Sequence, residues 1–352
     1  MSITVIYPQP DDPADRKRLD RVLSGQLFDV KYQTIHDMSA LEGLQGKRLL
    51  FAVPLGKYGI NTEYSRLLFR LRSDPGLLEG CTSALIVDGD SELFTKSTAA
   101  ELAFAVNNAG SALIGRPLAE GTGSLANYRI QAKLMRVDCK GAYMQAVRDL
   151  VVRLLTLKQE PKERPKLLVL HASNHRTSNT LQLWDKLAER LSDAMEIREL
   201  CLRSGTISDC SGCPYTMCLH FGEKGRCFYG GVMQEEVWPA VMECNGLMLL
   251  CPNYNDAISA NISAFINRLT GLFRQKRFYD KALFSIIVSG YSGGDIVARQ
   301  LISALNMNKS FYLPARFAML ETANDPGEAL ALPGIDERLD RFADSIRKVL
   351  CG

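Results

Sequence analysis

Residues 247–273 read LMLLCPNYNDAISANISAFINRLTGLF, and the order of features in this stretch decides the fold. Leu247 to Cys251 is an unbroken apolar run, short enough to be a strand buried on both faces. Ile258, Ile262, Phe265, Ile266, Leu269, Leu272 and Phe273 then recur at helical spacing and predict an amphipathic helix. Pro252, Asn253, Tyr254, Asn255 and Asp256 form the loop between them. Strand, loop and helix in this order belong to an open parallel sheet, which binds ligands beyond the carboxyl ends of its strands, where such a loop would sit. The Tyr254 ring and nearby backbone amides suit a planar heterocycle, although a plain surface turn uses the same Asn and Asp residues.

Working outward, strand-like runs alternate with helical periods along the whole chain, the pattern of an α/β protein with a parallel sheet covered on both faces. The first half offers strands at Ile3 to Tyr7, Phe28 to Tyr32, Arg48 to Val53, Ser83 to Val87 and Ala112 to Ile114, and a closing helix at Ala142 to Leu157. The run LKQEPKERPK, residues 157–166, reads as a polar linker. After it the pattern restarts with strands at Leu167 to Leu170, Glu196 to Leu200, Leu247 to Cys251 and Phe284 to Val288, and a last helix near Ile335 to Leu350. A length of 352 residues also points to two domains. We therefore expect domains at 1–157 and 167–352, joined by residues 158–166.

The restart is a repeat. LLFAVPLGKYGINTEYSRLLFRL laid under LMLLCPNYNDAISANISAFINRL matches Leu49 with Leu247, Pro54 with Pro252, Ser65 with Ser263 and Arg70 with Arg268 without a gap. Apolar periodicity explains the shared hydrophobic residues but not the shared proline and arginine, which favours duplication of one scaffold.

Composition excludes several classes. Hydrophobic content of 46%, charged content of 23% and a formal net charge of +3 describe a globular protein without the basic blocks that bind nucleic acid. No apolar run reaches the roughly 18 residues a membrane helix needs, and the run at Ile3 to Tyr7 is too short for a signal peptide. A cytoplasmic location is expected.

Two further loops carry chemistry. HASNHRTSNT, His171 to Thr180, follows a strand and enters a helix, so Ser173, Ser178, Asn179 and Thr180 with nearby N–H groups form a candidate anion site. His175 or Arg176 would add positive charge, while a plain helix cap would use the same small polar residues. SGYSGGD, Ser289 to Asp295, again ends a strand and begins a helix, and Gly290, Gly293 and Gly294 let its backbone approach a ligand.

With these loops in place, the second half resembles the flavodoxin-like NADPH-dependent FMN reductase family, especially its iron-sulfur flavoprotein branch. HASNHRTSNT is similar to the family's Gly-Ser-Pro-Arg-x-x-Ser-Asn-Thr phosphate loop, with Ala172 for the glycine and Asn174 for the proline. The likeness implies FMN phosphate binding by Ser173, His175, Arg176, Ser178, Asn179 and Thr180. CPNYNDAISANISAFINR is similar to the family's Ser-Pro-x-Tyr segment and helix, with Ser263 and Asn267 in place of its lysine and aspartate. Pro252, Asn253, Tyr254 and Asn255 would then border the flavin ring, and Gly290, Tyr291, Ser292, Gly293 and Gly294 would meet its pyrimidine side. The resemblance implies two tandem flavodoxin-like doubly wound parallel-sheet domains. It also implies NAD(P)H as co-substrate, and a small-molecule or protein electron acceptor such as a quinone, an iron-sulfur partner or a small oxidant. It leaves homo-oligomerisation open.

Cys210, Cys213, Cys218 and Cys227 are spaced C-x2-C-x4-C-x8-C. Four such thiolates suit a 4Fe-4S cluster or zinc, and a loop beside the flavin without metal is the plain alternative. The similar iron-sulfur flavoproteins have a more compact spacing. Two further readings stay open: an electron-transfer protein without nicotinamide, and a non-catalytic binding module. The first half lacks this equipment. Its opening loop, YPQPDDPADRKRL, places Pro8, Pro10, Pro13 and three aspartates where a phosphate would need N–H groups, so it reads as a degenerate copy.

Overall fold

The computed structural model describes residues 2–173, 177–203 and 207–352. The chain divides into two compact units, Met1–Lys158 and Gln159–Gly352, each with its own five-stranded parallel sheet.

In the first unit β1 (Ser2–Ile6), β2 (Lys31–Ile35), β3 (Arg48–Leu55), β4 (Thr82–Gly89) and β5 (Ala112–Gly121) lie in the order β2-β1-β3-β4-β5. Helices α1 (Lys17–Gln26), α2 (Thr62–Ser73), α3 (Thr95–Asn108), α4 (Arg129–Met135) and α5 (Cys139–Thr156) connect or follow them. Asn61 caps α2 by accepting from Tyr64 N at 3.0 Å, and Asp138 caps α5 by accepting from Gly141 N at 2.6 Å. One face of the sheet packs Val5, Leu50 and Ile86 against α1 and α5, through Leu19, Val22, Val147 and Leu150.

In the second unit β6 (Lys166–His171), β7 (Glu196–Cys201), β8 (Gly246–Pro252), β9 (Ala282–Ser289) and β10 (Ala318–Thr322) repeat that order as β7-β6-β8-β9-β10. Strand order 2-1-3-4-5 is that of doubly wound flavodoxin-like sheets, so the chain is an α/β protein of two tandem flavodoxin-like domains. Helix α6 (Asn179–Leu191) follows β6, α7 (Tyr215–Glu223) and α8 (Trp238–Glu243) lie in the long crossing from β7 to β8, and α9 (Ala260–Gln275) follows β8. Helices α10 (Gly294–Leu301) and α11 (Ile335–Leu350) complete the unit. Leu183, Trp184 and Leu187 of α6 and Leu339, Phe342 and Ile346 of α11 share a core with Val169, Met248 and Phe284. Burying each such side chain contributes about 1.5–3 kcal/mol. The stripe expected after β8 is buried at Ile262, Phe265, Ile266, Leu269 and Leu272, while Ile258 precedes the helix, which begins at Ala260.

Three expectations need correction. The second strand begins at Lys31 rather than Phe28, because it is an exposed edge strand and Phe28, 78% exposed, lies before it. His171 closes β6 instead of opening the loop. The second sheet has a fifth strand, β10, which apolar runs do not reveal: Glu321 points inward and is held by a two-pronged ion pair with Arg338 at 2.7 and 2.9 Å.

Candidate functional site

The ends of β6, β8, β9 and β10 surround a cavity of about 340 Å3 in the second unit. Ser173, Thr177, Ser178, Asn179 and Thr180 line it from the loop after β6 and the start of α6. Pro252, Asn253 and Tyr254 line it from the end of β8 and the loop after it, Val288 and Gly290 from the end of β9 and the loop after it, and Ala323, Asn324 and Pro326 from the loop after β10. The cavity includes the gap between the first and third strands of the unit, where crossovers leave in opposite directions and this fold class binds ligands.

The loop after β8 is a tight turn. Asn255 and Asp256 have φ of 53° and 56°, Ala257 N donates to Tyr254 O at 3.2 Å, and Tyr254 and Ala257 form an isolated antiparallel bridge. Two successive left-handed residues suit Asn and Asp, whose short polar side chains tolerate that region better than most. Gln300 pins the turn from α10 by donating to Asp256 O at 2.9 Å and accepting from Ile258 N at 3.0 Å. The result is that Tyr254 stays 62% exposed at the cavity wall.

Asn253 ties this turn to the glycine loop. Its Nδ2 donates to Ser292 O at 2.9 Å, Ser289 Oγ at 3.2 Å and Asp256 Oδ1 at 3.3 Å. Its Oδ1 is buried and has no partner among the described residues. Gly293 is left-handed, with φ of 85°, and a Cβ there would run into the Asp256 carboxylate and lie 2.8 Å from Asn253 Nδ2. Glycine is thus required both by conformation and by space.

Helix α6 starts without a side-chain cap bond from Ser178, because the Ser178 and Thr180 hydroxyls bond each other at 2.9 Å. Its first-turn N–H groups and the positive end of the helix dipole therefore lie beside the cavity. Asn179 has a different task. Its Nδ2 donates to Asp325 O at 3.0 Å and Ala323 O at 3.4 Å, and its Oδ1 accepts from Gly327 N at 3.1 Å and Ala329 N at 3.3 Å. Glu328 finishes that loop by accepting from Asn324 N at 2.6 Å and Asp325 N at 2.9 Å, which holds its carboxyl below the usual range. Behind the cavity, His171 Nε2 lies 3.1 Å from Glu199 Oε1, and Trp184 Nε1 donates to Glu199 Oε2 at 2.8 Å.

The structure thus gathers Ser173, Ser178, Asn179, Thr180, Pro252, Asn253, Tyr254 and Gly290 at one cavity. Asn255 lies in the turn beside it, and Ser292, Gly293 and Gly294 in the adjoining loop, while Tyr291 is 83% exposed. His175 and Arg176 lie outside the described residues. Thr177, Val288, Ala323, Asn324 and Pro326 were not expected as cavity residues. The turn-forming run Asn324, Asp325, Pro326, Gly327 was the available signal for the last of these.

Cys210, Cys213, Cys218 and Cys227 also share a cavity, a separate one of about 120 Å3. They do not fit a cluster or zinc site: among the described residues, no three Cys, His, Asp or Glu side chains are grouped to hold a metal ion. A 4Fe-4S cluster requires its ligands to converge on one centre, and this grouping does not support one.

Among the described residues, no helix is long and apolar enough to cross a membrane. No functionally curated protein matches the chain significantly. Among solved structures, an azoreductase from Bacillus anthracis str. Sterne is 14% identical with a TM-score of 0.40, over 52% of this chain and 99% of that one. An NAD(P)H:quinone oxidoreductase from Methanothermobacter marburgensis is 14% identical with a TM-score of 0.39, over 52% and 98% of the two chains. RosB, solved with bound 8-demethyl-8-formylriboflavin-5'-phosphate, is 16% identical with a TM-score of 0.39, over 52% and 79%. Residues 165–325, within the C-terminal half, match the profile of the NADPH-dependent FMN reductase family.

Proposed function

We propose that the second unit holds FMN in the 340 Å3 cavity and acts there as an NAD(P)H oxidoreductase, with a quinone or another small oxidant as acceptor. The observation that carries the assignment of the cavity is Asn253 Oδ1, a buried acceptor without a partner among the described residues. Buried acceptors are normally satisfied, and the N–H edge of a planar heterocycle would satisfy this one. The uncapped first turn of α6 fits the other end of the same ligand, because free N–H groups and the helix dipole favour a phosphate. Ser173, buried in the cavity wall, and the Ser178 and Thr180 hydroxyls would add hydrogen bonds to it.

FMN, when bound, supplies a two-electron carrier between nicotinamide and acceptor. The residues of this chain bind and orient. Asn253 fixes the separation of the tyrosine turn and the glycine loop, and Gly293 lets them meet without a side chain between them. Tyr254 and Tyr291, both exposed, offer ring faces beside the cavity on which a flat substrate can rest. The ten cysteines are all free thiols, which suits a cytoplasmic setting.

Titration of the protein with FMN, followed by flavin fluorescence, tests the reading. Saturable binding of one FMN per chain is expected, followed by anaerobic bleaching with NADPH. Ser178→Asp places a carboxylate at the phosphate end and should weaken binding at least about tenfold, as should Asn253→Ala at the ring end. Absence of FMN binding, or both variants binding as tightly as the wild type, would overturn it.

A further inference from the structure

We propose that the cysteine-lined cavity is a binding site for a small organic anion with an aromatic body. Its defining residue is Arg268 on α9, which lines the cavity and is only 4% exposed. Arginine keeps its charge when buried. Yet among the described residues its one hydrogen bond is from Nη2 to Gly230 O at 2.7 Å, its Nε has no partner, and no carboxylate pairs with it. A buried cation left in this condition is costly, and an acidic group entering the cavity would relieve it.

The remaining walls suit the body of such a ligand. Phe221, Phe228 and Tyr229 form a chain of edge-on rings with centroids 5.6 and 5.3 Å apart, and Phe228 and Tyr229 are 59% and 47% exposed. Met217 and the four thiols fill the space between, offering soft, polarizable surface. Rings of this kind left open to solvent favour a flat partner through edge and face contacts.

The surroundings are cationic as well. Asn267 and Thr270 line both this cavity and a neighbouring open groove that carries Arg274, Arg277 and Lys309. Lys309 donates to Thr270 Oγ1 at 3.0 Å, and burial together with the two arginines holds its pKa below the usual lysine value. Three like charges gathered at one groove would draw an anion towards the cavity mouth. This site does not depend on the flavin reading, because it shares no lining residue with the other cavity.

The test uses 19F NMR line broadening of 4-(trifluoromethyl)benzoate, with the neutral 4-(trifluoromethyl)benzyl alcohol as control. Excess FMN is present throughout to occupy the flavin cavity. The benzoate is expected to bind saturably and at least about tenfold more tightly than the alcohol. Arg268→Gln should abolish that preference, and Phe228→Ala, a change at an exposed position, should weaken both probes. Equal affinity for the two probes, or an unchanged preference in Arg268→Gln, would overturn the proposal. If circular dichroism shows that Arg268→Gln does not fold, Phe228→Ala decides: benzoate binding equal to that of the wild type overturns the site.

Discussion

The two units share a strand order but finish the ends of their strands differently. In the second unit Pro252 pairs in register with Val288, which lines the cavity, whereas in the first Pro54 pairs with Asp88, a buried carboxylate. Arg18 in the first turn of α1 meets Asp88 through Nε at 3.0 Å and donates to Gly89 O, Gly121 O and Gly123 O. Tyr143, fully buried, donates to the same carboxylate at 2.8 Å. Burial pushes the Asp88 carboxyl up and the Arg18 bond opposes it. Asn179 spans the corresponding distance in the second unit with a neutral amide, reaching Ala323 O and Asp325 O beyond the last strand. Asp15 packs against Gly56 so closely that a Cβ there would strike its carboxylate. One scaffold thus ends either in an internal ion pair or in an open cavity lined by small polar groups, and the choice rests on a few residues at the strand ends.

The largest effect expected from breaking this contrast is in the first unit. Arg18→Leu leaves Asp88 buried without its cation and should cost about 3–5 kcal/mol, read from urea unfolding, while FMN affinity stays as it was. A loss below about 1 kcal/mol would show that the ion pair does not hold the ends of β4 and β5 together. Gly293→Ala probes the open end. A left-handed backbone and a Cβ driven into Asp256 should cost about 1–3 kcal/mol and loosen FMN binding. An alanine variant with unchanged FMN titration would detach the glycine loop from the site.

The smallest effect concerns the first strand of each sheet. Tyr7, just beyond β1, donates to Asp20 at 2.6 Å, whereas His171, at the end of β6, is bonded to Glu199. The His171 bond, with help from Trp184, holds the Glu199 carboxyl below its usual range. With the folded value below the unfolded one, the contribution to stability is present above the ordinary glutamate pKa and is lost as pH falls through the folded value. Glu199→Gln should therefore flatten the acid limb of unfolding midpoint against pH, starting near the ordinary value of about 4.3. An unaltered limb would assign acid sensitivity to other carboxylates.

Sequence periodicity revealed the buried parts of both sheets well, for a physical reason. Strands β3, β4, β8 and β9 are covered on both faces and read as continuous apolar runs. Edge strands have no such signature: all of Lys31, Tyr32, Gln33 and Thr34 in β2 are exposed, and β10 turns Glu321 inward because Arg338 is there to meet it. The loops that line the larger cavity were visible because their polar residues follow buried strands. The cavity wall after β10 was not, since its strand went unread. The cysteines were conspicuous in sequence, but spacing cannot tell thiols that share a cavity wall from thiols that converge on one centre. Arg268 was matched with Arg70 as a repeat residue, and nothing in its sequence neighbours announced a buried, unpaired charge.

The Asn179 brace has one further consequence. Its Oδ1 accepts from Gly327 N and Ala329 N, so these two amide protons depend on a side chain located more than a hundred positions earlier in the chain. Their exchange with solvent therefore reports on the first turn of α6. A ligand that steadies that turn will slow exchange at Gly327 and Ala329 without touching either residue, giving two spectroscopic beacons for occupancy at the opposite wall of the cavity.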